Sequence, residues 1–157
     1  MRRNGVPGME RQNERRRPGI GVAMVIERAG AILLVRRRHH GGGSWSAPGG
    51  YLDPGEDLAD AATREVREET ALDVDEASFI AVTNDRFDDG KHNVTVWFSA
   101  CRFHGEPTVA APDELSEIGW FPWDALPQPL YDSTRAFLDG ETLPPAAVDG
   151  LQKGKGG

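Results

Sequence analysis

The chain has 157 residues and a net charge of −7, with 18 Lys and Arg against 25 Asp and Glu, and 38% of its residues are apolar. These values fit one globular domain. A single cysteine excludes an internal disulfide, no apolar run approaches the ~20 residues that cross a bilayer, and the N-terminal segment lacks the apolar stretch of a secretory signal. We therefore expect a cytoplasmic protein with no membrane partner.

The charge is unevenly distributed along the chain. Residues 1–17 contain six Arg and two Glu, whereas residues 18–150 carry a net charge of −13. We expect residues 1–17 to form a disordered basic arm, because they lack apolar periodicity. The anionic body disfavours nucleic-acid binding, so we expect no nucleic-acid partner. A phosphate-bearing ligand would need cations to bind to such a body.

Apolar runs and turn residues predict strands, then a helix, then further strands. The predicted strands cover residues 20–26, 31–35, 79–83, 93–103 and 118–121. The predicted helices cover residues 58–72 and 132–138, with a short helical turn at 122–126. This order indicates an α/β or α+β sandwich. We expect the folded domain to span residues 18–140 and residues 141–157 to form a loose tail.

The helix predicted at 58–72 places carboxylates beside its apolar face. On a helical wheel, Glu65 and Glu69 point into the sector of the apolar residues, and Glu68 lies at its edge. A solvated acidic face is the ordinary alternative. Arg64 can reach Glu68 one turn on, but one arginine cannot neutralise three glutamates. A bound divalent ion is the simplest compensation, and all-oxygen ligands suit Mg²⁺ or Mn²⁺.

These residues also fall at the fixed spacing of a known motif. Gly50, Glu56 and the run Arg64–Leu72 resemble the Nudix box, Gly-x5-Glu-x7-Arg-Glu-apolar-x-Glu-Glu-x-Gly-apolar, of the MutT-like Nudix hydrolases. Eight of its nine specified positions match, and the segment from Trp45 to Gly50 resembles the family's lead-in to the box. The exception is Ala71, where the family has glycine. The variant Glu-Glu-x-Ala-Leu is similar to a group of nucleoside triphosphate diphosphatases.

The departure at Ala71 concerns the end of the helix. Glycine tolerates a positive φ, which lets the chain turn out of a helix. We expect Ala71 to give a different exit or a longer last turn. Because this position supplies no side-chain chemistry, we expect catalysis to survive.

The resemblance implies a Nudix-type α/β/α sandwich with a mixed sheet, and a metal site. In it Glu65 and Glu69 would be metal ligands, and Glu68 a further ligand or the activator of water. The backbone carbonyl of Gly49 would be an additional ligand. Metal ions would neutralise a polyphosphate that the anionic body otherwise repels.

The resemblance also implies supporting roles within the motif. Arg64 would orient the carboxylates. Glu56 would hold Arg64 and the preceding loop rather than touch substrate, and Gly50 would be structural.

Outside the motif the candidates are fewer. Arg37 faces opposite to Arg36 and Arg38 by strand alternation, and we select it as the phosphate-binding residue. In the family fold, His92 and Thr95 would approach the base or ribose.

Several further side chains are expected to have no role in the site. We interpret His39 and His40 as exposed loop residues. The resemblance places Glu114 and Glu117 in a region where some relatives have an additional metal ligand or base, but a solvated acidic loop is the favoured interpretation. We expect Cys101 to be a buried small hydrophobe.

The resulting prediction is an enzyme that converts a nucleoside triphosphate to a monophosphate and pyrophosphate. An ADP-ribose or nucleotide-sugar pyrophosphatase is the alternative. A non-catalytic nucleotide sensor is disfavoured, because Glu65, Glu68 and Glu69 are all present. The resemblance further implies that a homodimer could form.

Overall fold

A computed structural model describes residues 17–145 and 147–153. The strands are β1 (Gly19–Val25), β2 (Glu27–Arg28), β3 (Ala31–Arg37), β4 (Trp45–Ser46), β5 (Gly49–Tyr51), β6 (Asp73–Arg86), β7 (His92–His104) and β8 (Leu115–Pro122). The helices are α1 (Leu58–Thr70), α2 (Asp132–Leu138) and α3 (Asp149–Lys153). No helix in these residues is long and apolar enough to span a membrane.

The strands form two sheets. The first has the order β5-β1-β7-β6, in which β1 runs parallel to β7 and the other pairs are antiparallel. In the second, β3 pairs with β8 on one side and with β2 and β4 on the other, all antiparallel. The mixed first sheet agrees with the prediction.

Side chains alternate along the central strands between two apolar clusters. Val22 and Met24 of β1 pack with Val66 of α1, whereas Val25 packs with Phe137 of α2. Because alternate residues of a strand point to opposite faces, the two helices lie on opposite sides of the strands. The result is the predicted α/β/α sandwich.

Helix α1 ends at Thr70, two residues before the predicted end. Ala71 caps it with φ 63° and ψ 10°, and its N–H donates to the Arg67 carbonyl. This is the left-handed conformation that glycine adopts easily. The expectation of a different exit or a longer last turn is therefore wrong: alanine takes the same turn at a steric cost of about 1–2 kcal/mol.

Strands β6 and β7 are longer than the apolar runs that predicted them. The first half of β6 is largely exposed, so polar residues extend a strand whose buried part alone gave a sequence signal. Cys101 lies near the outer end of β7 and is exposed, with its Sγ 3.1 Å from Ser78 Oγ. The expected burial of Cys101 is therefore wrong.

The described residues after residue 140 pack onto the fold. Leu143 exchanges two backbone hydrogen bonds of 2.9 Å with Val82, and the side chain of Val148 is only 3% exposed beside Phe137. The prediction of a loose tail is wrong for residues 141–145 and 147–151, because strand pairing and apolar burial fix them. The predicted basic arm lies, except for Arg17, outside the described residues.

Candidate active site

A cavity of about 470 Å³ opens against the first sheet. One wall, which we call the acid wall, consists of Glu65, Glu68 and Glu69 from α1. A second wall, the aromatic wall, consists of His40, Phe87 and Tyr131. Small and polar residues of β1 and β7 form its floor, and the lining includes Gly21, Ala23, Asn93, Thr95 and Trp97.

Glu69 is the buried member of the acid wall. Its side chain points toward β5, the residue is 6% exposed, and its Oε2 accepts a hydrogen bond of 3.2 Å from the Gly49 N–H. Burial raises the pKa of Glu69 to about 8, and the charge of Glu65 acts in the same direction. The helical wheel correctly indicated that this carboxylate faces the interior.

Glu65 lies one turn before Glu69 and contacts β5. A Cβ atom on Gly50 would overlap the Glu65 carboxylate, so a larger residue at this position of β5 would displace the Glu65 side chain from its observed place. Burial raises the pKa of Glu65, although Arg64 donates to its Oε1 at 2.9 Å. The structural role predicted for Gly50 thus has a steric basis.

Arg64 connects the acid wall to the preceding loop. It donates to both oxygens of Glu56 at 2.8 Å, to Glu65 at 2.9 Å and to Glu68 at 3.3 Å. The bond from Arg64 lowers the pKa of Glu56 to about 2, and the Asp53 N–H also donates to this carboxylate. Glu56 therefore holds both Arg64 and the loop, in the arrangement that the resemblance implies.

The donors of the acid wall fit a hard divalent cation in type. Carboxylate and carbonyl oxygens are the ligands that Mg²⁺ takes in proteins. Burial disfavours the charged form of Glu69 unless a cation is present, as the raised pKa of this carboxyl group shows. Within the described part of the chain, no three acidic, histidine or cysteine side chains converge on one point at ligand distances. Arg64 draws Glu65 and Glu68 to itself, while the Gly49 amide holds Glu69.

Arg37 supplies a cation to the same cavity. Its Nε donates to the His40 carbonyl at 2.7 Å, and its guanidinium lies 4.0 Å from the centroid of the Tyr131 ring. Arg36 instead bonds to the Gly43 carbonyl, and Arg38 to the Pro112 carbonyl. Strand alternation correctly separated Arg37 from its two neighbours.

Sequence reasoning missed the aromatic wall. The His40 ring lies 5.0 Å from Phe87 and 5.7 Å from Tyr131, and the two latter rings are 5.5 Å apart. His39, His40 and Glu114, for which the sequence favours exposed loop positions, also line the cavity. No local spacing in the sequence joins these residues; an aromatic residue just before a predicted helix, as Tyr131 is, was the available signal.

Thr95 lies on the floor, where it was predicted to meet ligand, but its hydroxyl has a partner that we did not predict. The Thr95 hydroxyl donates to Asp85 Oδ2 at 2.5 Å, and the Thr83 hydroxyl donates to the same oxygen at 3.2 Å. The Trp97 indole N–H in turn donates to Thr83 at 2.9 Å. Asp85 is buried, which raises its pKa.

His92, the other residue predicted to approach the base, turns elsewhere. Its Nε2 lies 2.5 Å from Asn84 Oδ1, and the residue is not part of the cavity lining. That prediction is wrong.

A family model for the NUDIX domain matches residues 15–139. The chain belongs to the Nudix hydrolase family. This confirms the family that the motif from Gly50 to Leu72 indicated.

Solved structures of similar fold include family members. The MutT NUDIX hydrolase from Burkholderia pseudomallei is 37% identical, with a TM-score of 0.75 over 78% of this chain and 97% of that one. The NUDIX domain of Shewanella oneidensis NrtR, solved in complex with ADP ribose, is 24% identical, with a TM-score of 0.69 over 86% of this chain and 89% of that one. The second likeness concerns the fold alone.

Among curated proteins, this Nudix chain is similar to enzymes named NAD-capped RNA hydrolase NudC. The protein of Stutzerimonas stutzeri is 32% identical over 104 residues, which are 66% of this chain and 36% of that protein. The protein of Pseudomonas putida is 32% identical over 112 residues, 70% of this chain and 39% of that protein. The chain thus spans less than half the length of these relatives.

Proposed function

We propose that this Nudix protein is a divalent-metal-dependent pyrophosphohydrolase that converts a nucleoside triphosphate and water to a nucleoside monophosphate and pyrophosphate. The observation that carries the proposal is the shared cavity, in which three glutamates of one helix face the same space as the Arg37 guanidinium. Carboxylates that can hold a metal and a cation that can hold phosphate are the two components that phosphoryl chemistry requires.

Glu65, Glu68, Glu69 and the Gly49 carbonyl would hold the Mg²⁺ or Mn²⁺ ion. When bound, the ion supplies Lewis-acid neutralisation of the diphosphate charge. The motif arginine, Arg64, sets the side-chain directions of Glu65 and Glu68 before substrate arrives.

The remaining residues of the cavity contribute binding and proton handling. Arg37 offers its guanidinium to phosphate oxygens from a position fixed by the His40 carbonyl. Glu68 is the most exposed carboxylate of the acid wall, with 57% of its side chain open to solvent. It can therefore take a proton from an attacking water molecule and return it to solvent.

A second candidate function is the hydrolysis of a diphosphate that joins two larger groups, as in ADP-ribose or another nucleotide sugar. The names of the curated relatives, which refer to NAD-capped RNA, favour it, since NAD contains such a diphosphate. The two functions need the same acid wall and differ only in the leaving group, which is pyrophosphate in the first and a larger phosphate ester in the second. A nucleotide sensor without turnover is less consistent with three intact glutamates.

A substrate panel with Mg²⁺ tests the proposal. Nucleoside triphosphates, ADP-ribose and NAD-capped RNA are incubated with the protein, and pyrophosphate is measured with a coupled inorganic pyrophosphatase. We expect pyrophosphate from triphosphates. AMP and ribose phosphate from ADP-ribose, with no turnover of triphosphates, would replace our proposal with the second candidate.

The matched variants are Glu69→Gln and Glu117→Gln. Glu117 pairs with Arg36 and does not line the cavity, so it controls for the loss of one carboxylate. We expect Glu69→Gln to lower kcat at least about a hundredfold, a barrier increase of about 2.7 kcal/mol, and Glu117→Gln to retain it. Full activity of Glu69→Gln would contradict the assignment of the acid wall.

A further inference from the structure

The cavity floor lies along one face of the first sheet, where β1 has almost no side chains. Gly19, Gly21 and Ala23 of β1 pair with Asn93, Thr95 and Trp97 of β7. A Cβ atom added to Gly21 would lie 3.2 Å from Thr95 Oγ1. The missing side chains leave Thr95 as a polar group that a ligand on this floor can reach.

The hydrogen bonds around Thr95 have a fixed direction. An indole N–H can only donate, so the bond from Trp97 makes Thr83 Oγ1 an acceptor and directs the Thr83 hydrogen to Asp85 Oδ2. Thr95 directs its single hydroxyl hydrogen to the same oxygen. What remains of the Thr95 hydroxyl for a ligand is its lone pairs.

Asp85 is buried, and one of its carboxylate oxygens lacks a hydrogen-bond partner among the described residues. The residue is 5% exposed, and the oxygen is Oδ1. Buried polar atoms without partners are rare and call for an explanation. Any proton that Asp85 carries belongs on this Oδ1, because Oδ2 already receives two hydrogens. Oδ2 is therefore an acceptor whether or not Asp85 is ionised.

We propose that Asp85 is a positioning residue that holds the Thr95 hydroxyl as a hydrogen-bond acceptor for an N–H group of the nucleobase. The inference rests on the proposed function, which supplies the nucleotide. The enzyme then selects bases that present a donor at their edge over bases that present only acceptors. Tyr131 and Phe87 of the aromatic wall suit a planar ring bound in the same cavity.

Purines of equal size test this selection. GTP and ITP carry an N–H at the base edge, whereas purine riboside triphosphate has only acceptors there. We expect the wild type to favour GTP and ITP by about tenfold or more in kcat/KM, mainly through KM. The ratio of two substrates on one preparation is independent of how much of a variant is folded.

Variants of both residues assign the effect. Thr95→Val should bring the ratio of GTP to purine riboside triphosphate close to one, and Thr95→Ser should retain it. Asp85→Ala should also lower the ratio several-fold, because the Thr95 hydrogen is released, whereas Asp85→Asn keeps an oxygen acceptor and should restore it. In the double variant, Asp85→Ala should add nothing to Thr95→Val.

A second pair of variants tests access to the floor. Gly21→Ala places a methyl group beside Thr95 and should raise KM for GTP, whereas Gly150→Ala in α3, where a Cβ would meet nothing within 4 Å, should leave it unchanged. An unchanged KM in Gly21→Ala would overturn the proposed contact.

Two further results separate this inference from the proposed function. If the wild type hydrolyses triphosphates but Thr95→Val weakens all purines equally, the network is structural packing and the inference is wrong. If the wild type hydrolyses no triphosphate, the proposed function fails. The binding of GMP and purine riboside monophosphate, measured by calorimetry, then tests the floor alone: a tenfold preference for GMP that Thr95→Val abolishes supports it, and equal affinities overturn it.

Discussion

The two walls of the cavity differ in how the chain builds them. The acid wall comes from three residues within five positions of α1, and the geometry of one helix is enough to bring them together. The aromatic wall joins residues 40, 87 and 131, which follow three different strands. The sequence therefore reveals the acid wall directly, whereas the aromatic wall exists only in the tertiary structure.

The walls also differ in electrostatic state. Burial and mutual repulsion raise the pKa values of Glu65 and Glu69, so the acid wall is unfavourable without a cation. The aromatic wall is held by ring contacts and by the Arg37 guanidinium over Tyr131. Changes to the acid wall should therefore affect charge, metal and turnover, and changes to the aromatic wall should affect affinity.

The largest effect on stability is expected from Glu69→Gln in the metal-free protein. The pKa of Glu69 in the folded protein, about 8, lies above its ordinary value of 4.5, so the folded state binds this proton more tightly than the unfolded state. The free energy of unfolding should then fall as pH rises from about 4.5 to 8. The variant avoids this loss and should exceed wild type by on the order of 5 kcal/mol near pH 8.5.

Denaturant unfolding at pH 5 and pH 8.5 measures this difference. Glu68→Gln removes a more exposed carboxylate of the same helix and is the control. A wild type whose stability is the same at both pH values would show that Glu69 is not strained by burial.

Magnesium should stabilise the folded protein through the same carboxylates. Above the Kd, each tenfold increase in Mg²⁺ should add about 1.4 kcal/mol, which raises Tm by about 3–5 °C. Because the ion displaces the Glu69 proton, its affinity should fall as pH drops below 8 and its binding should release protons. Melting curves at tenfold Mg²⁺ steps should show this increment in wild type and lose most of it in Glu69→Gln. If Mg²⁺ raised Tm equally in wild type and Glu69→Gln, the metal would not bind at the acid wall.

Substitutions in the aromatic wall should change KM, whereas substitutions in the acid wall should change kcat. Tyr131→Ala removes the ring beneath the Arg37 guanidinium and should raise KM about tenfold while kcat stays within about twofold. Tyr131→Phe keeps the ring and serves as the control. A loss of kcat at constant KM would mean that the two walls act as one unit.

The smallest effect is expected at the end of α1, which supports the acid wall. Ala71→Gly relieves a left-handed alanine at φ 63° and should stabilise the protein by about 0.5–1 kcal/mol, less than the full steric cost because glycine loses more entropy on folding. Ala29→Gly, at φ 48° in the β2–β3 turn, tests the same effect away from the site. Thermal unfolding of both variants checks it, and destabilisation by Ala71→Gly would refute the strain.

The sequence predicted those features that depend on local periodicity. The helical wheel placed Glu69 inside, strand alternation selected Arg37, and the motif spacing identified the family. It failed at two positions where the local pattern is misleading. Ala71 adopts the left-handed turn that glycine favours, and Cys101 lies in the exposed part of β7, which polar residues prolong. Asp85 could not be assigned, because its partner Thr95 comes within reach only through the pairing of β6 with β7.

The pairing of Leu143 with Val82 and the burial of Val148 have a consequence for synthesis of the protein. The ribosome releases the motif helix and both sheets before it releases residue 148. Until then the apolar surface that Val148 covers beside Phe137 is exposed, and exposed apolar surface on an incomplete chain favours aggregation. A protein expressed only to residue 139, where the family match ends, would keep this apolar surface exposed after synthesis.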